Sequence, residues 1–428
     1  MYSKLFFIFI FIFMFFLLHI QAQDMNQVKK NLQNLTSATM HGRGYVKKGD
    51  KKAANYIKNE FKKLNVKPFT QNYFQSFPIN VNTFPNRMAL QIGNKKLKAG
   101  NDFIIDPASK SGKGQGKLFI FDSSAMQSKK KLKELSELDA NSFVILVEEK
   151  MEKELEKFPS ALLQKIYTAK AIIEIVKGKR TVGHVSKSAT INPYFKITKQ
   201  TWQNLQEEIN NNDNVIFEVD AEVLNNYSTK NVLGYIEGSA VKDSFLIVSA
   251  HYDHLGRMGK TTYFPGANDN ASGVSMVLAL AEYFSKNPPR YSVAFFLFGG
   301  EEIGLLGSEH FVKNPLIPLE KIKFLFNLDI VGTGDTGATI VNSTVFKDEF
   351  ERLKKINQQK NYLSLLQTRG KAPNSDHHHF VEKGVKAFYL YTMGGVSYYH
   401  DVDDKAETLP LTKYKEVFGL IKDFFEGF

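Results

Sequence analysis

The chain of 428 residues contains no cysteine. That excludes disulfides, thiol catalysis and a lipid-modified cysteine behind a leader. A domain of this size can bury enough apolar surface to fold without such staples. Long hydrophobic runs are also missing, with one exception. Leu5 to Leu18 is unbroken and apolar, preceded by Lys4 and followed by His19-Ile20-Gln21-Ala22. Its 14 residues fall short of the roughly 20 that span a bilayer. The three-part layout predicts a secretory signal peptide over residues 1–22, with cleavage after Ala22. An exported protein is expected, periplasmic or extracellular, with no stable membrane insertion after cleavage. The chain also has no basic stripe interleaved with aromatics and no zinc-finger spacing. The net charge of +12 therefore reads as a solvated basic surface and not as a nucleic-acid site. Attraction to anionic cell-surface polymers stays open.

What is present is ordinary in amount: 43% hydrophobic and 23% charged residues. The length suits two domains, or one large domain with an insertion. Ala54, Ile57, Phe61 and Leu64 recur at spacings of 3 and 4, predicting a helix near Lys51–Val66. Just before it, Met40-His41-Gly42-Arg43-Gly44 reads as a glycine-rich loop. From about Lys96 to Glu222, apolar runs such as Leu118–Phe121 and Phe143–Val147 alternate with lysine- and glutamate-rich stretches. No cluster of metal ligands occurs there, and His184 reads as a surface residue. From Asn231 the pattern becomes strand, loop, helix, repeated. Phe245–Ala250, Val293–Phe298, Phe324–Leu328 and Ala387–Tyr391 are short, almost wholly apolar and β-prone. Such strands are buried on both faces, which implies helices on both sides of the sheet. A helix follows Ser272-Gly273, carrying Val277, Leu278, Ala281 and Phe284.

Polar residues fall where these strands end. His251 ends the first run, Glu301 and Glu302 follow the second after Gly299-Gly300, and Asp329 ends the third. Open α/β sheets place ligand sites at the carboxyl ends of their strands. Loops supply Asp269 and His400. Imidazole nitrogen and carboxylate oxygen both bind zinc, and two histidines with three carboxylates suffice for two ions sharing one bridging carboxylate. Asp253, two residues past His251, can accept the other ring N–H of a ligand histidine. Glu301, beside Glu302, is a free carboxylate suited to general base work. Each signal alone has a bland reading: a surface pair, a solvated face or a helix cap. Their order along the strand ends carries the argument.

The stretches Ser249–Gly256, Gly266–Gly273, Gly300–Ser308 and Asn327–Gly332, closed by Tyr399-His400, resemble the co-catalytic zinc exopeptidases of clan MH. That group includes secreted bacterial aminopeptidases, glutamate carboxypeptidase II and glutaminyl cyclases. The resemblance implies a three-layer αβα sandwich around a mixed, mostly parallel β-sheet, with an inserted β-rich domain. It implies a discontinuous catalytic domain, residues 23–95 and 225–428, around a protease-associated-like insertion, 96–224. It implies two Zn2+ per chain and peptide substrates. His251 and Asp329 would hold one zinc, Glu302 and His400 the other, and Asp269 would bridge. Glu301 would take the proton from the attacking water and pass it to the leaving amine, while Asp253 would orient His251. A cis peptide is expected at Asp269–Asn270.

Ser375-Asp376-His377 matches a family stretch lining the substrate site, which makes Asp376 and His377 substrate-binding candidates. Of His377-His378-His379, one is expected to face the pocket. The tyrosine that precedes this stretch in some aminopeptidases is absent; Ala372 and Pro373 lie there, and Tyr399 is the substitute candidate. Tyr263, Phe264 and Tyr398 are candidates for an apolar first-residue pocket, with core packing the commoner role for each. After His400 the family's threonine is replaced by Asp401, then Val402-Asp403-Asp404. The expected activity is that of a secreted dizinc aminopeptidase. The alternatives are a glutaminyl cyclase-like zinc enzyme, a carboxypeptidase using Arg257, Arg290 or Arg369, and a non-enzymatic receptor-like relative.

Overall fold

The computed structural model describes residues 23–149, 158–178 and 182–428. The expected leader lies outside the described residues. Among the described residues the main sheet has nine strands. Its centre is parallel: Tyr291–Phe298, Val241–His251, Ile322–Leu328 and Ala387–Met393 lie side by side in that order. The flanks are antiparallel, with Glu222–Ile236 beside Tyr291–Phe298 and Gly337–Val341 beside Ala387–Met393. The four predicted apolar runs are thus the four central strands.

Alternation along these strands explains the layers. Side chains of successive strand residues point to opposite faces. Leu246, Val248, Ala250, Val293, Phe295 and Leu297 enter one core. Phe245, Ile247, Ala294, Phe296 and Phe298 enter another. The first is covered by helices Met25–Thr36, Gly49–Lys63, Ser272–Lys286 and Tyr414–Glu426, through residues such as Leu32, Ile57, Val277 and Phe424. The second lies under helices Leu306–Lys313 and His377–Glu382, through Phe311 and Phe380. Both faces of the sheet are covered by helices, the αβα arrangement that apolar runs without polar alternation require.

Strands Phe74–Thr83 and Glu222–Ile236 pair antiparallel, Thr83 opposite Glu222. The chain therefore leaves the main sheet and returns to it at one place. Between them it builds a second, eight-stranded sheet from Met88–Ile92 to Asn214–Val219. Leu118, Val144, Leu146 and Phe195 fill one of its faces, and Phe119, Ile145, Val147 and Ile172 the other. Among the described residues, no helix is long and apolar enough to cross a membrane.

The parallel centre sets up the site. His251 is the last residue of its strand, and Asp329 directly follows Ile322–Leu328 on the neighbouring one. Glu301 and Glu302 follow Tyr291–Phe298 on the other side. Three adjacent parallel strands thus deliver their polar residues to one edge. Phe296 helps to fix the level of that edge, fully buried against Phe69, Phe298 and Phe311 with ring centroids 5.8, 6.0 and 4.7 Å away. Phe296→Ala should lower unfolding free energy by about 3–5 kcal/mol in a urea titration, with little change in the slope.

Candidate metal centre

Two knots of potential ligands lie at this edge. One brings together His251, Glu301 and Asp329; the other His254, Asp269, Glu302 and His400. All five expected ligands are present, with Glu301 beside them. His251 Nε2 lies 3.2 Å from Asp269 Oδ1 and 3.3 Å from Asp329 Oδ1. His400 Nε2 lies 2.9 Å from Asp269 Oδ2 and 3.3 Å from Glu302 Oε2. Asp269 therefore turns one oxygen to each histidine.

The remaining atoms of the set are tied down by protein. Glu302 Oε1 accepts from His254 Nδ1 at 2.6 Å. Asp329 Oδ2 accepts from Ser375 Oγ at 3.0 Å, and Ser375 in turn accepts from Asn327 Nδ2 at 2.9 Å. His251 Nδ1 donates to the Asp253 carbonyl at 3.2 Å, and His400 Nδ1 to the Val182 carbonyl. A carbonyl can only accept, so both rings carry the proton on Nδ1 and turn Nε2 inward. Each flanking carboxylate has one oxygen held by a supporting side chain and the other turned to a histidine Nε2, while the middle one turns an oxygen to each histidine. This donor set of imidazole nitrogens and carboxylate oxygens fits bound zinc. It is harder to explain as an ion-pair cluster, because buried negative groups outnumber the imidazoles.

The electrostatics agree. Burial alone would push the His400 ring down, but the charges of Glu302 and Asp269 outweigh it and carry it up to about 11. His251 is likewise raised well above its ordinary value, Asp329 and Glu301 overcoming burial. Carboxylates that hold a proton on a ring this strongly would hold a cation in its place. Burial raises Glu301 well above the usual carboxylate range, with Glu302 and Asp329 adding to the effect against the pull of His251. Glu302 goes the other way, down to about 2: burial opposes the shift, but the His400 and His254 rings outweigh it.

The loops are shaped to bring Asp269 and His400 in. Asp269 sits in the irregular turn Ala267–Ala271, and its bond to Asn270 is cis, as expected. Asn268 Oδ1 accepts from the Gly332 N–H at 2.8 Å and Asn270 Nδ2 donates to the Leu328 carbonyl at 2.9 Å. The turn is thereby knitted to the strand end that carries Asp329. His400 has φ of 51° and Ile330, next to Asp329, 60°. Such left-handed backbone costs a non-glycine residue about 1–3 kcal/mol and persists where surroundings over-determine it.

Asp253 does more than the sequence suggested, and by another route. Its carbonyl is the near partner of His251, while its carboxylate lies 3.9 Å from that Nδ1. The carboxylate instead accepts from the Glu301 and Glu302 N–H groups at 3.1 and 3.4 Å, and from the Tyr45 hydroxyl at 3.3 Å. It holds the turn that presents both glutamates.

Sequence reasoning missed four supports. His254 lies within the quoted Ser249–Gly256 stretch, but nothing in a lone histidine there marks it as the Glu302 partner. Ser375 was seen only as the neighbour of Asp376. Asp404 is fully buried, accepting from the Asn268 N–H at 2.8 and 3.0 Å and the Asp269 N–H at 3.0 Å. The departure after His400 was its signal: this carboxylate fixes the backbone of the bridging residue. Arg43 is the fourth. Its guanidinium is fully buried and donates to five carbonyls, those of Tyr252, Leu35, Pro265, Gly266 and Asp269, at 2.6–3.2 Å. The glycines around it allow the approach: a Cβ on Gly42 would lie 2.3 Å from the Gly256 carbonyl oxygen, and one on Gly44 2.4 Å from the Gly256 Cα.

Tyr399 is half exposed and stacks on His400, ring centroids 3.8 Å apart. Asp376 and His377 are buried; burial raises Asp376 to about 7 against the charge of His251, and His377 packs 5.2 Å from Tyr389. His378 and His379 are partly exposed. Phe264 is buried in the core of the second sheet, while Tyr263 and Tyr398 are partly exposed. His184 is exposed. Arg257 reaches His41 Nδ1, Arg290 lies over Tyr291, and Arg369 donates to the Tyr391 hydroxyl.

Residues 231–425 match the model of peptidase family M28. This stretch contains both knots of potential ligands, while the supports Arg43, Tyr45 and Val182 lie outside it. The stretch so matched is called the M28 region. The chain is 30% identical over 207 residues to aminopeptidase YwaD of Bacillus subtilis, covering 46% of this chain and 44% of that protein. A vacuolar membrane protease of Candida glabrata is 28% identical over 185 residues, 42% of this chain and 19% of its own. The chain thus spans less than half of these relatives. Two solved structures share the fold over nearly the whole chain. One, of the zinc aminopeptidase BSAP from Bacillus subtilis, has a TM-score of 0.68 at 20% identity, covering 93% of this chain and 94% of that one. The other, of an aminopeptidase from Aneurinibacillus, has a TM-score of 0.62 at 21% identity, covering 94% and 93%.

Arg43 supplies a test of how the M28 region is held to the first helices. Arg43→Met removes the charge and leaves up to five buried carbonyls short of a donor. It should cost about 3 kcal/mol or more, read as a lowered denaturation midpoint.

Proposed function

We propose that the protein is an exported zinc metallo-aminopeptidase that removes N-terminal residues from peptides at a two-zinc centre. One observation carries the reading: Asp269 turns one oxygen to His251 and the other to His400, while Asp329 and Glu302 each turn one oxygen to the same rings and have the other held by Ser375 or His254. In this reading His251 and Asp329 would hold one ion, Glu302 and His400 the other, and Asp269 both. Bound zinc supplies Lewis acidity, polarising the scissile carbonyl and making water acidic near neutral pH.

Glu301 is the base. It lies beside the ligands, its carboxylate has no ligand role, and Asp253 holds its backbone through the N–H. It takes a proton from the attacking water and delivers it to the leaving amine. Tyr399 stands half exposed against His400, where it can donate to the substrate carbonyl. Asp376 and His377 belong to the wall on the Asp329 side. The second sheet, from Met88–Ile92 to Asn214–Val219, belongs to an inserted, protease-associated-like domain, none of whose described residues joins the two knots of potential ligands. Export rests on the N-terminal apolar run.

Free and N-blocked leucyl amides separate this activity from its neighbours. Release from the free amide alone is expected, abolished by a chelator and restored by zinc; cleavage of the blocked substrate would contradict an aminopeptidase. Glu301→Gln should keep zinc and lower kcat by about 100-fold or more. Normal turnover would remove Glu301 as the base.

A further inference from the structure

His400 takes its tautomer from outside the M28 region. The acceptor for its Nδ1 is the carbonyl of Val182, which lies between strands Ala171–Val176 and Tyr194–Thr198 of the second sheet. Three residues on, the Val185 N–H donates to the carbonyl of Glu302 at 2.8 Å. Ser186 then accepts from the Asn82 N–H at 2.8 Å, anchoring the segment on strand Phe74–Thr83. Residues 182–186 thus form a strap that touches both proposed ligands of one ion and neither of the other's.

The strap is fixed at both ends by burial. Val182 belongs to the core of the second sheet, with Phe84, Ile105, Met258 and Phe264. Val185 sits in a separate cluster with Tyr45, Phe77, Ile79 and Ile303. Between them Gly183 is exposed, with nothing within 4 Å of a Cβ placed on it. Two buried valines therefore set the span, and their backbone groups face the ligands.

We infer that the strap 182–186 is a positioning element for the Glu302–His400 metal, so that the second sheet governs how tightly that one ion is held. The inference rests on the two-zinc reading. The chemistry is general: the group that accepts the far N–H of a ligand histidine fixes its ring and raises its basicity, and losing it weakens metal affinity about 10–100-fold. Here that group is a main-chain carbonyl, so the length and path of the strap matter more than the identity of its side chains.

Zinc binding by equilibrium dialysis of the full chain provides the test. The unaltered protein should bind two equivalents and His400→Ala one; fewer than two in the unaltered protein would overturn the two-zinc centre itself. Given two, removal of Gly183 should weaken one equivalent about 10–100-fold and leave the other unchanged, whereas Gly183→Ala should change neither. Val185→Pro, which lacks the N–H, should weaken the same equivalent; Val185→Ala, which keeps it, should do so far less. Wild-type affinity for both ions after Gly183 is removed overturns the proposal. So does loss of both ions together, or equal effects of the two Val185 substitutions.

Discussion

Four carboxylates and three imidazoles share a volume at the carboxyl edge of the main sheet from which water is largely excluded, and the surrounding structure answers to that crowding. Two like charges 4 Å apart repel by about 4 kcal/mol at an effective dielectric of 20. Asp253, Asp376 and Asp404 add three more buried carboxyls nearby. Among the described residues Arg43 is the one buried arginine set against them, and it bonds to carbonyls and not to carboxylates. The protein alone does not neutralise this edge. Two divalent cations would, and the inward oxygens and nitrogens are where cations would need them.

The geometry is held chiefly by main-chain groups. Asp253 and Val182 set the two rings through carbonyls, Asp253 and Asp404 hold the glutamate turn and the Asp269 turn through N–H groups, and Arg43 gathers carbonyls from three segments. Such partners are rigid because their positions follow from the sheet and its turns. Side chains enter where one oxygen of a carboxylate must be held and the other turned to a histidine, as His254 does for Glu302 and Ser375 for Asp329. That division explains why the set is both crowded and ordered.

Much of this was legible in the chain. Phe245–Ala250 and its three counterparts lack polar alternation, which only strands covered on both faces can tolerate. Their parallel pairing then made the residues after them meet, so His251, Glu302 and Asp329 could be placed without a structure. Asp269 and His400 came from motif resemblance, since loop residues have no periodicity to read. What stayed hidden has a common cause. Arg43 lies more than 200 residues from most of the carbonyls it binds, and a backbone carbonyl such as that of Val182 has no sequence signature. Asp253 was found as an orienting residue, but which of its atoms acts depends on a turn no pattern encodes. Asp404 was noticed only as a departure from a motif, and its purpose emerged from the Asn268 and Asp269 amides it faces.

The two halves of the centre are therefore unequal. His251 and Asp329 are set by adjacent strands of one sheet, and their supports, Asp253, Ser375 and Asn327, belong to the same M28 region. Glu302 shares that rigidity, but His400 does not: it lies on the loop after Ala387–Met393, in left-handed backbone, with its ring steadied from the second sheet. A ligand on a loop is placed only as well as the groups that hold the loop. Three such groups act here: Asp404 through the Asp269 turn, the stacked Tyr399, and the Val182 carbonyl. Only the last comes from elsewhere in the chain. The middle segment, none of whose described residues joins the two knots of potential ligands, thus meets the centre at its least rigid point, and there a shift of a fraction of an ångström in one sheet would be felt by the His400 ring mounted on the other.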